Sequence, residues 1–221
     1  MVRNTWRVAA GVLCLVLGSA TQLIQFLISP MKEADSPAQQ VAAASAHLGA
    51  MRASMWLDVP MLLIIPAILY AGYLVRGSRL GTIGTAFAFV SALGAGYLLA
   101  QDIVVYAAAR QGGAAAVGVV SGFEKSGVLT FIAIVYLIGH VIGFVLLGIA
   151  LVRSSAVPAW AGIALCAWPF AEMGGEALAA PVAAVGFALL TIGFAACAVA
   201  LVRQRRSDQS ALTLEPMSVP A

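Results

Sequence analysis

The chain is a succession of apolar runs joined by short polar stretches, at 8–28, 59–75, 80–109, 129–152, 160–171 and 178–202. A bilayer core of about 30 Å takes roughly 20 apolar residues per helical span, and most of these runs reach or approach that length. Inside lipid every backbone N–H and C=O must be satisfied within the segment, so such runs fold as helices. Composition agrees. Hydrophobic residues make up 62% of the chain and charged residues 10%, whereas soluble domains carry roughly 25% charged residues. The expected fold is an all-α polytopic transmembrane helical bundle of about six spans, forming one domain over 1–206. A polar, Pro-ended tail at 207–221 reads as disordered.

Charge placement sets the orientation. With six spans, Arg3, Arg7, Arg76, Arg79, Arg153, Arg203, Arg205 and Arg206 fall on one side, eight of the twelve basic residues. Retention of basic loops in the cytoplasm then gives an N-in/C-in protein of the cell inner (cytoplasmic) membrane. The run at 160–171 decides the count, because it is short and contains Pro169; if it failed to cross, the C-terminus would change sides. The net charge of +3 is spread over the ends of apolar runs, which excludes a nucleic-acid footprint. The first run is too long for a signal-peptide core and no small-residue cleavage site directly follows Ile28, so it reads as a span. Cys14, Cys166 and Cys197 lie inside apolar segments without a C-x-x-C pair and read as packing residues.

The acids are distributed the other way. Glu33, Asp35, Asp58, Asp102, Glu124, Glu172 and Glu176 map on or near the outer side, and only Asp208 and Glu215 fall in the cytoplasmic tail. Loop hydration accounts for Glu33 and Asp35, and an acid opening the fourth span accounts for Glu124 through the helix dipole. Asp58 and Asp102 border or enter apolar runs. A carboxylate beside lipid is costly, so each must face the bundle interior, a cavity or a basic partner, with Arg52 and Arg110 the nearest candidates. Glu172 and Glu176 are four residues apart, which places them on one helical face. The Gly174-Gly175 pair between them fits a wetted hairpin loop equally well. His140, near the middle of the fourth run and one turn after Tyr136, is either a functional group or a histidine bonded to Tyr136 or a carbonyl.

Local signals are clearer. Ser36-Pro37 followed by Gln39 predicts an N-cap and a helix from 37 to 57, running into the second span with a kink near Pro60. If that helix is continuous, His47, Ser54 and Asp58 share a face. Gly139 and Gly143, and Gly81, Gly84, Gly94 and Gly96, are positions where helix backbones can approach closely.

Several chemistries are excluded by absence. No Asp-rich element exists to hold Mg²⁺ and a diphosphate, and no Walker, G-x-S-x-G or H-E-x-x-H motif occurs. His47 belongs at the outer surface and cannot join His140 in bis-histidine haem ligation. No metal or other cofactor is implied.

The stretch from Leu137 to Gly162, most recognisably from Gly148 through Arg153, Pro158 and Trp160 to Gly162, resembles small uncharacterised membrane proteins of actinobacteria, which implies no activity. In size, span count and buried acids the chain is similar to the integral-membrane terpene cyclases of bacterial and fungal meroterpenoid or indole-terpenoid pathways. That resemblance implies protonation of an olefin or epoxide by a carboxylic acid inside a helical bundle, and it carries over no individual residue. The chemistry needs a neutral acid in a dry cavity and aromatic faces against a cation. The candidate acids are Asp58, Asp102, Glu172 and Glu176. The candidate substrate-contacting residues are Trp56, Tyr97, Tyr106, Trp168, Phe170 and His140. The expected partners are an apolar small-molecule substrate and the lipid bilayer.

Two other classes compete. A proton-coupled transporter predicts polar residues at several depths, whereas the inner half is nearly free of them. An accessory or structural protein predicts that neutralising Asp58 or Asp102 changes abundance rather than an activity.

Overall fold

The computed structural model describes residues 5–214, and their side chains except those at 176–178, 208–209 and 211–214. Arg3 and Glu215 lie outside the described residues, and so do the side chains of Glu176 and Asp208. All regular structure in the described region is helical: α1 (Thr5–Ile28), α2 (Pro37–Ala46), α3 (Leu48–Met61), α4 (Ile64–Leu74), α5 (Arg79–Gly94), α6 (Gly96–Gln111), α7 (Gly113–Glu124), α8 (Gly127–Arg153), α9 (Ala159–Leu178) and α10 (Ala180–Leu214). α10 continues as helix to Leu214, into the segment expected as a tail; residues 215–221 lie outside the described residues.

Among the described residues, five stretches are long and apolar enough to cross a membrane: α1, α3 with α4, α5 with α6, α8, and α10 as far as Ser207. α9, whose described side chains end at Gly175, is not among them. The outer faces of the bundle carry exposed Val128, Phe131, Leu93 and Ile163, a surface suited to lipid and not to water.

Adjacent helices run antiparallel and meet at small residues. Along α5 and α8, Gly84 opposes Leu147, Ala88 opposes Gly143, Ser91 opposes Gly139, and Gly94 opposes Tyr136. Along α8 and α9, Gly148 meets Cys166 and Gly162. Along α9 and α10, Gly193 meets Leu165, Gly186 meets Glu172, and Gly175 meets Ala183. Dispersion at such close approach is what holds helices together where lipid removes the hydrophobic drive. The main core fills the space between, with Leu15, Ile68, Leu147, Leu151, Leu165, Leu190 and Phe194 fully enclosed.

Two spans are interrupted. α3 ends at Met61, and Leu62 and Leu63 form a tight turn before α4, the kink expected at Pro60. The long third run breaks at Ala95, between Gly94 and Gly96. Pro169, by contrast, is absorbed inside a continuous α9.

A second, smaller core closes one end of the bundle. Val41 and Ala44 of α2, Met51 of α3, Val105 and Ala108 of α6, and Ala116 and Val120 of α7 pack into a helical cap. Ser36 caps α2 by accepting from Gln39 N–H, and Gln39 Oε1 accepts from Asp35 N–H at 2.8 Å. The helix does not continue through His47, whose backbone (φ −134°, ψ 48°) separates α2 from α3. His47 is exposed and does not share the face of Ser54 and Asp58. The α6–α7 turn needs two left-handed residues, Gly112 at φ 69° and Gly113 at φ 80°. Glu124 ends α7 instead of opening the next span, and accepts from Gln40 Nε2 at 2.9 Å.

Candidate functional site

Two buried polar pairs lie within the bundle. The first joins α3 and α6. Asp58 and Asp102 are both buried, and their carboxyls face each other. Gln25 of α1 donates from Nε2 to Asp102 Oδ2 at 3.4 Å. Ser54, fully buried one turn before Asp58, stands beside Asp102. Neither Ser54 Oγ nor Asp58 Oδ2 has a partner within ordinary hydrogen-bond geometry. Arg52 and Arg110, the cations nearest in sequence, are exposed, and among the described residues neither acid forms an ion pair.

The cap core explains why this pair is buried. Met51 stands one turn beyond Ser54 on α3, and Val105 nearly one turn beyond Asp102 on α6. Both side chains are fully enclosed, so the cap seals the carboxyls on the side facing away from the bundle.

The second pair joins α8 and α9. His140 Nε2 lies 2.9 Å from Glu172 Oε2, with the imidazole buried and the Glu172 side chain 14% exposed. Trp168 stands edge-on to the imidazole, with ring centroids 4.2 Å apart, and Tyr136 and Phe144 flank it at 5.1 and 5.5 Å. Phe144 in turn meets Trp168 at 5.2 Å. The indole Nε1 of Trp168 is buried without a hydrogen-bond partner. A buried donor left unpaired is costly, which marks a position suited to an acceptor atom of a bound molecule.

An arc of rings connects the two pairs. It runs from Phe26, next to Gln25 on α1, to Phe187 at 5.0 Å and on to Trp168 at 6.1 Å. From His140 it continues through Tyr136 to Tyr97 at 6.2 Å, on the helix that carries Asp102. The rings thus form a series of contacts between the helices that carry the two pairs, in which Phe26, Phe187, Tyr136 and Tyr97 are half-buried.

The expected residues divide accordingly. Asp58 and Asp102 come together, Glu172 joins His140, and Trp168 and Tyr97 belong to the arc. Tyr106 packs instead against the cap core. Trp56 and Phe170 are corrections: they are 65% and 58% exposed on the outer faces of α3 and α9 and line no interior. Each lies two residues from an inward group, Asp58 and Trp168, and such neighbours point to opposite sides of a helix. Glu176 lies on α9, with its side chain outside the described residues. Sequence reasoning missed Gln25, Phe144 and Phe187. Gln25 had a signal, as a polar residue late in an apolar run, and Phe144 had another, one turn after His140.

Among the described residues no three His, Cys, Asp or Glu side chains gather as metal ligands. Comparison with protein-family models, with curated proteins and with solved structures finds no match to this chain.

Proposed function

We propose that the chain is an integral-membrane enzyme that starts cyclisation of a terpenoid or prenylated small molecule with a proton from the Asp58–Asp102 pair. The observation that carries this reading is two buried carboxyls facing each other with no cation beside them among the described residues. Two negative charges so placed repel strongly, and one proton held between them removes the conflict. Such a proton is available to an olefin or epoxide. The remaining carboxylate keeps the hydrogen bond from Gln25.

Ring closure then moves the substrate's own π electrons onto the cationic carbon. The faces of Trp168 and Tyr136 are suited to the migrating charge, and the Trp168 N–H to an oxygen on the substrate. A proton must finally leave carbon. His140, oriented by Glu172, is the group placed to take it. One proton enters and one leaves, so the product is an isomer of the substrate.

Six spans with N-in/C-in orientation in the inner membrane complete the reading. α9 has 20 residues, about 30 Å of helix, and packs antiparallel against both α8 and α10. A helix lying along two spanning neighbours over that length traverses the same thickness. Arg76, Arg153 and Arg203 then share one end, as cytoplasmic retention requires.

The test is an untargeted mass-spectrometric comparison of host extracts with and without the gene. A new compound isomeric with one that is depleted supports cyclisation. An unchanged profile, with the protein present in the membrane, overturns it in favour of an accessory or transport role.

A further inference from the structure

At the end of the bundle opposite the cap, an open cleft of about 730 Å³ lies between α4, the α8–α9 turn and α10. That volume is within the roughly 300–1,000 Å³ typical of small-molecule sites. It is recessed because α10 presents Ala195, Ala196 and Ala200 there, while Pro158 and Ala156 hold the α8–α9 turn to one side. Its lining is largely apolar, with Leu74, Ile192 and Val199, and includes the polar Ser154, Arg203 and Gln204. No acid lines it.

The cation in the lining is uncommitted. Arg205, two residues on, donates to Thr5 Oγ1 at 2.7 Å, and Arg76 lies over the Tyr73 ring at 4.2 Å. The Arg203 guanidinium has no such partner among the described residues, and its side chain is exposed. Trp160, also lining the cleft, is 54% exposed, as an indole at the level of lipid headgroups would be. An apolar recess opening onto an unpaired arginine matches one chemistry: an acyl chain bearing an anionic head.

We infer that this cleft binds an anionic phospholipid, its acyl chain along Ile192 and Val199 and its phosphate on Arg203. Basic pockets between spanning helices are the general form of such sites. The inference is independent of the proposed cyclisation, since no residue of the cleft belongs to either buried pair.

The test is native mass spectrometry of the full-length protein in detergent, titrated separately with phosphatidylglycerol and phosphatidylcholine of the same chains. One retained phosphatidylglycerol, held in preference to phosphatidylcholine, is expected. Arg203→Gln should weaken phosphatidylglycerol by about fivefold and leave phosphatidylcholine unchanged, the effect of one basic residue near an anionic headgroup. Val199→Trp, at an exposed position facing the cleft, should weaken both lipids by filling it. Arg76→Gln, on the same end but outside the cleft, should change neither. Equal retention of the two lipids by the unmodified protein overturns the proposal, and so does an equal loss in Arg76→Gln and Arg203→Gln, which would reduce the effect to diffuse charge.

Discussion

His140 Nε2 and Glu172 Oε2 meet at 2.9 Å across the α8–α9 interface, where Cys166 Sγ also donates to Val145 C=O at 3.4 Å and Gly148 meets Gly162. The two atoms stand at ion-pair distance, the imidazole 3% and the Glu172 side chain 14% exposed, and neither has a further hydrogen-bond partner. Removing one partner strands the other, at about 1–3 kcal/mol for an unsatisfied buried polar group.

His140→Leu and Glu172→Leu should therefore each lower stability by that amount, and the double replacement should cost clearly less than the two losses combined. Thermal unfolding in detergent micelles, compared across the four proteins, measures the coupling. Strict additivity would show that the contact contributes nothing to holding α8 on α9.

Asp58→Asn and Asp102→Asn keep the shape of the carboxyl pair and remove its acid. Each should leave membrane abundance and monodispersity unchanged while lowering formation of the isomeric product by at least about 100-fold, the usual contribution of a general acid. Product quantified per unit of purified protein is the readout. Loss of protein with unchanged specific product formation would make the pair a structural element.

Glycines at helix crossings and glycines on open surfaces should respond oppositely to the same change. A Cβ on Gly143 would fall onto the Ala88 backbone, so Gly143→Ala should destabilise by about 1–3 kcal/mol through overpacking. Gly118, on α7, has nothing within 4 Å of its added Cβ, and Gly118→Ala should be stabilising by up to about 1 kcal/mol. Midpoints of thermal unfolding measured side by side would show whether α5 and α8 approach this closely.

Topology gives a further test. Reporter fusions truncated after Gly112 and after Ser126 should report one side of the membrane. Fusions after Arg76, after Ser155 and after Leu214 should report the other. A reporter after Leu214 on the same side as the one after Ser126 would mean that α9 does not cross.

How the sequence and the structure divide the answer follows from the range of each interaction. Helix formation in lipid is local: a run such as 129–152 must bond its own backbone, so its residues alone determine a helix and its apolar surroundings. The cap at Ser36 and the kink at Pro60 were equally legible, because each depends on neighbours a few residues away. Helical spacing would also have set Trp56 apart from Asp58 and Phe170 apart from Trp168. The pairing of Asp58 with Asp102, and of His140 with Glu172, was not legible. In a bundle apolar on every side, periodicity does not say which face of a helix turns inward. That choice rests on where glycines such as Gly139, Gly143 and Gly175 let backbones close, and so on contacts between residues distant in the chain. The sequence determined the helices and the medium they suit; only their packing decided which acids share a site.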